Sequence, residues 1–476
     1  MPILGLFFIA IVAVGVQGYH LGADDAAIYV PGIKRVFDPA LYPFGEEFFQ
    51  SHAHLTLFPN LIGGSARLLH LPIDVAIFLW HVGGAFLLML AAWQLVCACF
   101  ENSYARWSGV ALLAAVLSVP VAGTALAIAD PYVTSRTLST PTTIFAIACF
   151  VSGRRKQAVI GWVITALIHP QMSAYGAVFL AWLAFNPTLA FLAGLPFVFE
   201  FEPAHGPARE ALLSRTYFFV SQWTWYEWIG VFAPLALLWW FSARKRRDTK
   251  PAFYTLARRL IPFGVMVTVA AIILTFSAQL ENYTRLQPMR SFHLVYVIFF
   301  VLLGGLLGEY VLRNHIWRWF ALFIPLAAGM YFLQASVYPA SAHIEWPSVN
   351  SSNPWSAAFL WIRDNTPKDA IFAIDPNYMA RNGEDMHGFR AVAERSNLAD
   401  AVKDSGAVSL FPQLADRWKA QVDVLKGWEH FQLADFERVE RQYPVTWAVI
   451  ARPAPAGLVC PYENEILDVC RLPVPR

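Results

Sequence analysis

The sequence is poor in charged residues, which make up only 14% of its 476 positions. An ordinary soluble domain has about 25% charged residues, so one water-soluble fold is excluded for most of the chain. Hydrophobic residues make up 57% of the chain, and its mean hydropathy is +0.46. Over this length, such values predict several membrane-spanning helices rather than one large core. The formal net charge of +2 gives no reason to expect a nucleic-acid partner.

Cysteine and early positive charge are also scarce. Of the five cysteines, Cys97, Cys99 and Cys149 lie in apolar runs and are interpreted as packing residues. No Lys or Arg precedes the first apolar run, whereas a cleaved signal peptide has a positively charged start. We therefore expect that run to be a retained first helix.

Eleven apolar runs are candidate transmembrane segments, since a spanning helix needs about 20 apolar residues. They cover residues 2–17, 75–99, 107–128, 141–152, 157–168, 172–185, 187–199, 229–242, 259–279, 292–311 and 317–335. Residues 157–199 allow two interpretations. Two half-spans separated by His169-Pro170 give eleven crossings, whereas one kinked helix followed by a re-entrant segment gives nine.

Basic clusters predict the orientation, because cytoplasmic loops carry an excess of Lys and Arg. The clusters at 154–156 and 244–247, together with Arg313 and Arg318, are expected on the cytoplasmic side. The N-terminus is then cytoplasmic, and everything after residue 336 lies outside.

Charge spacing divides the chain into two predicted domains. Residues 1–340 hold the long uncharged runs and form a multi-span domain with a long first outer loop at 18–74. Residues 341–476 have charges every few positions and form a small α/β extracytoplasmic domain of a usual size.

The first outer loop carries an acidic pair, Asp24 and Asp25, where the first helix leaves the membrane. A carboxylate there can act as a general base or bind a divalent cation such as Mg²⁺ or Mn²⁺. The predicted metal ligands are Asp25, Glu46, His52 and His54. The alternative is an interfacial loop with solvated charges, whose amphipathic helices lie on the bilayer surface.

Arginines on the outer loops run against the positive-inside bias, and this indicates an anion site. Arg136 precedes a predicted helix start in which Ser139 or Thr140 caps and Pro141 takes the first position; this cap does not account for the arginine. The candidate residues for a lipid phosphate or pyrophosphate are Arg136, Arg285, Gln287, Arg290 and His293.

His169 precedes Pro170 inside an apolar stretch. Polar groups within a membrane are costly, so His169 is a candidate substrate-binding residue. Two alternatives stay open. The ring can satisfy carbonyl groups freed at the proline kink, or it can belong to a transporter, whose sites lie at broken helices.

The C-terminal region predicts a helix from 353, a strand at 370–374, a second strand at 445–452 and a hairpin at 460–470. Its most polar loop, NGEDMHGFR at 382–390, is expected to face solvent, and the alternative is that it faces a cavity on the membrane side.

The remaining cysteines, Cys460 and Cys470, lie on the two arms of that hairpin. An extracytoplasmic domain permits a disulfide between them. Pairing requires a suitable distance between the two residues, so both the bonded and the free states stay open.

Three further segments accompany this layout: SRTLSTP at 135–141, IHPQ at 168–171 and WIRDNTPKDA at 361–370. With the acidic pair behind the first helix, they resemble the GT-C-type integral membrane glycosyltransferase superfamily, and more narrowly an uncharacterised bacterial family of polytopic membrane proteins with a C-terminal exported domain. The resemblance implies about nine to eleven transmembrane helices in a bacterial inner membrane.

The resemblance also implies a catalytic role for Asp24 or Asp25, acting on a polyprenyl-phosphate-linked sugar donor at the outer face of the membrane. The acidic pair is adjacent rather than spaced as D-x-D, and no W-W-D-Y-G motif occurs, so protein N-glycosylation is disfavoured and the acceptor stays open. The alternative is a non-enzymatic transporter or an assembly or binding factor.

Overall fold

The computed structural model describes residues 2–185, 203–245, 249–347 and 349–473. The helices are α1 Pro2–Gln17, α2 Ala26–Phe37, α3 Glu47–Ala53, α4 Phe58–Leu68, α5 Ile73–Cys99, α6 Ser103–Ala115, α7 Arg136–Val151, α8 Arg155–Ile168, α9 Pro170–Ala184, α10 Gly206–Leu213, α11 Trp225–Ala243, α12 Pro251–Phe276, α13 Phe292–Leu307, α14 Ile316–Val337, α15 Pro354–Asn365, α16 Phe389–Ala393, α17 Asp404–Leu410, α18 Ala415–Val424 and α19 Leu433–Gln442. The strands are β1 Ile371–Ile374, β2 Ser396–Asn397, β3 Trp447–Ala451, β4 Val459–Glu463 and β5 Leu467–Arg471.

Four helical segments of the described chain are long and apolar enough to cross a membrane, by length and composition. They are Ile73–Cys99, Pro251–Phe276, Ala278–Leu312 and Ile316–Val337, and α1 is a shorter apolar helix. The predicted run at 187–199 lies outside the described residues, so the choice between nine and eleven crossings stays a prediction. The chain is therefore a helical protein with candidate membrane spans and a small C-terminal sheet.

The predicted run at 107–128 is wrong as a single helix. Helix α6 ends at Ala115, and the chain then turns back on itself between Val119 and Ile128 through backbone hydrogen bonds. Pro120 lacks an N–H group and ends any helical continuation. The apolar side chains of this turn are buried against neighbouring helices. Hydropathy predicted a span because it does not distinguish burial in protein from exposure to lipid.

The predicted start of the next helix is also wrong. Helix α7 begins at Arg136 rather than at Pro141, which lies inside the helix, and Ser139 and Thr140 are buried helical residues. The first helical turn therefore carries Arg136 itself. The arginine therefore lies at a helix end, where its position is fixed, and not in a loop as predicted.

The first outer loop folds into α2, α3 and α4, as its amphipathic pattern predicted. These helices do not merely cover a surface. Lys34 of α2 is fully buried, and its Nζ lies 2.8 Å from both Asp74 Oδ1 of α5 and Glu394 Oε1 after α16. One ammonium group therefore joins the loop, a candidate span and the C-terminal region.

The C-terminal sheet has the strand order β2-β1-β3-β5-β4. Strand β1 pairs in parallel with β2 and β3, whereas β5 pairs antiparallel with β3 and β4. Apolar side chains from β1, β3 and β5 pack on α15 and α16. Cys460 and Cys470 form a disulfide across the β4–β5 hairpin.

Most of the loop at 382–390 is buried rather than turned to solvent, contrary to the prediction, and only Asn382 and Gly383 at its start are exposed. Asp385 and His387 are buried, and His387 Nε2 lies 3.0 Å from Glu345 Oε2. The Met386 carbonyl accepts a hydrogen bond from the backbone N–H of Asp24 at 3.0 Å. The loop therefore docks the C-terminal region against the acidic pair.

Candidate functional site

The acidic pair lies between α1 and α2, where the chain makes a tight turn. Asp24 has a φ of +48°, in the left-handed region, and Asp25 directly precedes α2. The side chains of Asp24 and Asp25 are 32% and 24% exposed, so both are partly accessible. The Tyr132 hydroxyl donates a hydrogen bond to Asp24 Oδ2 at 2.9 Å.

Arg136 lies beneath this pair and is held by two carboxylates. Its Nε donates to Asp130 Oδ2 at 2.9 Å, and its Nη2 lies 3.1 Å from Asp25 Oδ2. Thr134 also donates to Asp130 Oδ2 at 2.9 Å. The Arg136 and Asp130 side chains are each only 6% exposed. Arg136 therefore positions the carboxylates, and its role as a phosphate ligand stays a prediction.

Lys403 approaches the acidic pair from the C-terminal region, 378 residues away in sequence. Its Nζ contacts Asp24 Oδ1 and lies 3.1 Å from Asp25 Oδ1. The side chain is 11% exposed. The site is therefore complete only when the C-terminal region is docked.

The charges of this cluster decide its protonation. Burial alone would raise the pKa of the Asp25 carboxyl, but Lys403 and Arg136, assisted by Arg290, hold that pKa well below its usual range. Burial alone would lower the pKa of Lys403, but the two aspartates raise it above its usual value. The acid is therefore ionised and the lysine protonated at neutral pH.

Of the predicted anion-binding residues, Arg290 is the one best placed to bind an anion. Its guanidinium lies 5.4 Å from the centre of the Tyr217 ring, and its buried Nε has no hydrogen-bond partner. Within the described ranges, no carboxylate forms an ion pair with it. Its charge nevertheless acts on Asp25. Arg290 therefore provides an uncommitted positive charge beside the acidic pair.

Two other predicted anion-binding residues, Gln287 and Arg285, lie in different surroundings. Gln287 lies with Arg290 and Tyr217 on one small cavity, and its buried Oε1 has no hydrogen-bond partner among the described residues. Arg285 instead donates to Asn282 Oδ1 at 2.7 Å. Arg290 and Gln287 therefore lie together, whereas Arg285 is held within its own turn.

The two predicted histidines are buried on the inner side of the cluster. His293 lines a cavity of about 30 Å³ together with Asp130 and Arg136, and its Nε2 lies 2.8 Å from the Ile128 carbonyl oxygen. His169 separates α8 from α9, and its ring lies within electrostatic range of Arg136 and Arg290. Both rings lie near the arginines, and neither is exposed.

The predicted metal ligands do not form a metal site as placed. Asp25 contacts Lys403 and Arg136, while Glu46 lies 2.5 Å from Arg35. His52 packs against Phe411, and His54 lines a separate cavity. In the part of the chain that the structure describes, no group of three or more His, Cys, Asp or Glu residues could hold a metal ion. The residues present do not fit a divalent cation, because ammonium and guanidinium groups already neutralise the candidate acids.

Sequence reasoning missed Lys403 completely and gave Asp130 no partner. Lys403 lies in a segment, AVKDSG, that has no motif, and only long-range folding brings it to the acidic pair. Asp130 precedes Pro131 and lies six residues before Arg136, a spacing that could have indicated their pairing.

Comparisons with known proteins give little further guidance. No protein-family model matches the sequence, and no curated protein matches it. Two solved structures of the Archaeoglobus fulgidus oligosaccharyltransferase are similar to the chain. One is AglB with an inhibitory peptide and a dolichol-phosphate, at 12% identity and a TM-score of 0.41, covering 94% of this chain and 69% of that one. The other is a complex with Zn and sulfate, at 11% identity and a TM-score of 0.45, covering 94% and 67%. Likeness at this level carries no argument about the activity of this chain.

Proposed function

We propose that the chain is a membrane glycosyltransferase that takes a polyprenyl-phosphate-linked sugar as donor at the outer face of a bacterial inner membrane. The observation that carries the proposal is an acidic pair held by Lys403 and Arg136, near an arginine, Arg290, that has no carboxylate partner among the described residues. Both lie near helices apolar enough to enter a bilayer. A lipid-borne phosphate and its sugar need this combination of charges at a membrane surface.

In the proposed reaction, an acceptor hydroxyl attacks the first carbon of the sugar, the bond from that carbon to the phosphate oxygen breaks, and the hydroxyl proton passes to the departing polyprenyl phosphate. Arg290, with Gln287 beside it, neutralises the phosphate that leaves with the lipid. Asp24 and Asp25 accept a hydrogen bond from the acceptor hydroxyl and stabilise the positive charge that develops on the sugar ring.

The low pKa of Asp25 limits its chemical role. A general base is most effective when its pKa lies near the working pH, and Lys403 and Arg136 hold the pKa of Asp25 far below it. We therefore assign Asp25 an electrostatic and orienting role rather than that of a proton acceptor. Arg136 is a positioning residue that keeps Asp25 in place.

The test is mass spectrometry of the lipids that co-purify with the full chain in mild detergent. Wild type is compared with Arg290→Met and with a control, Arg438→Met, which removes an arginine paired with Asp435 on α19. We expect a polyprenyl-phosphate sugar in wild type and in the control, and its loss in Arg290→Met. Bulk phospholipid alone in all three proteins would contradict the proposal.

A second measurement addresses the chemistry. With the donor identified, Asp25→Asn should retain donor binding and lose transfer, because the amide keeps the shape of the side chain and removes its charge. Undiminished transfer by a folded Asp25→Asn protein would remove the assigned role.

A further inference from the structure

Lys403 occupies the place at the acidic pair that a divalent cation would take. One carboxylate oxygen from Asp24 and one from Asp25 converge on its Nζ. Convergent carboxylate oxygens are the ligands that hard divalent cations require. Here the converging positive group is an ammonium ion supplied by the chain itself.

The turn that carries Lys403 is built to hold it there. Asp400 Oδ1 accepts hydrogen bonds from the backbone N–H groups of Val402 at 2.7 Å and Lys403 at 2.5 Å. Asp404, the first residue of α17, is held by a two-pronged ion pair with Arg390 at 2.7 and 3.0 Å. The backbone at Lys403 is therefore fixed, and the lysine side chain extends from a rigid base.

The acidic pair is fixed from the opposite side. The backbone N–H of Asp24 donates to the Met386 carbonyl, and Tyr132 holds the second carboxylate oxygen of Asp24. Arg136 holds the second oxygen of Asp25. Only the first oxygen of each aspartate is directed at Lys403, so both partners are positioned before any ligand arrives.

We propose that the Lys403 ammonium is a built-in substitute for a divalent cation at Asp24 and Asp25. The inference deepens the proposed function, on which it rests for its catalytic meaning: transfer at this site proceeds without a metal bound to the acidic pair. Removal of the ammonium leaves Asp25 paired with Arg136 alone and frees one fixed oxygen of each aspartate, and these two oxygens then constitute a site for a divalent cation completed by water ligands.

The experiment is a Mn²⁺ titration of the full chain in detergent, followed by electron paramagnetic resonance of free Mn²⁺. Wild type should show no saturable site. Lys403→Met should show one saturable site, which the further change Asp25→Asn abolishes. The control Lys419→Met removes an exposed lysine paired with Glu210 and Asp423, and it should behave as wild type does.

Thermal unfolding of the same proteins gives a readout independent of transfer. Mn²⁺ should raise the Tm of Lys403→Met and leave the Tm of wild type and of Lys419→Met unchanged, because a ligand stabilises only the state that binds it. If Lys403→Met does not fold, Lys403→Arg retains the positive charge and should bind no Mn²⁺, as wild type does.

Two results would overturn the inference. One is a single Mn²⁺ site in wild type that Asp25→Asn removes, since the metal would then displace the lysine. The other is a folded Lys403→Met protein without a Mn²⁺ site. Neither depends on lipid binding, so failure of the donor assay with Arg290→Met would remove the proposed function and leave the metal result standing.

Discussion

Arg136 and Arg290 are both predicted phosphate ligands, yet the structure gives them different partners, and the consequence for stability can be measured. Replacing Arg136 with Met removes the ion pair to Asp130 and one contact to Asp25. The Asp130 side chain, 6% exposed, then becomes a buried charge without a cation. Breaking a buried ion pair in this way costs about 3–5 kcal/mol.

The expected change in Tm follows from the size of the chain. An unfolding entropy of about 2.1 cal/mol/K per residue gives roughly 1 kcal/mol/K for a chain of 476 residues. Arg136→Met should therefore lower the Tm by about 3–5 °C. Arg290→Met loses its contact with the Tyr217 ring, worth about 0.5–1 kcal/mol, and a longer-range attraction to Asp25, and it should shift the Tm by about 1 °C.

Tryptophan fluorescence during thermal unfolding in detergent measures both variants, since the chain has 18 tryptophans. The double variant Arg136→Met/Asp130→Asn supplies the control, because removing both charges removes the desolvation penalty. We expect it to be more stable than Arg136→Met alone. Equal Tm values for Arg136→Met and Arg290→Met would refute the reasoning. So would a double variant whose loss of stability equals the sum of the losses from its two changes.

Three further predictions concern stability. Lys34→Met should destabilise the protein by about 3–5 kcal/mol, because it removes the cation that Glu394 contacts and leaves Asp74 paired with Arg363 alone. The loss should be smaller when Glu394→Gln is added, and unfolding of both variants measures this difference. Burial raises the pKa of Asp400 to about 6, so the folded state keeps this proton at a pH where the unfolded state has released it, and stability falls as the pH rises from about 4 to 6. Above pH 6, Asp400→Asn should therefore have a higher free energy of unfolding than wild type, by at most about 3 kcal/mol, and a higher Tm. Below pH 4 the two proteins should be equally stable. A gain in stability that is the same at both pH values would contradict this cause. Cys460→Ser should cost about 3 kcal/mol for a loop of this length, and a reducing agent should lower the Tm of wild type but not that of the variant; an unchanged wild type would argue against the bond with Cys470.

The sequence determined the features that depend on neighbours along the chain. Apolar runs predicted the helices at 2–17, 75–99 and 317–335, since each needs only a local succession of apolar residues. The strand pattern predicted the hairpin whose two cysteines the structure joins. Asp24, Asp25 and Arg136 stood out because charge at the edge of an apolar run is costly unless it has a partner or a function.

Only the tertiary structure decided which of these charged side chains have an ion-pair partner. Arg136 is neutralised by Asp130 and Asp25, whereas Arg290 has no such partner in the described chain; the local sequence offers only the nearness of Asp130 to Arg136 as a sign of this difference. The apolar segment at 116–128 turns back into the protein after α6 ends at Ala115, because Pro120 prevents a new helix there and neighbouring helices bury the segment. Lys403 reaches the acidic pair only through the docking of the C-terminal region. The partner of a charge is set by distance in space, and no local pattern encodes a contact across 378 residues.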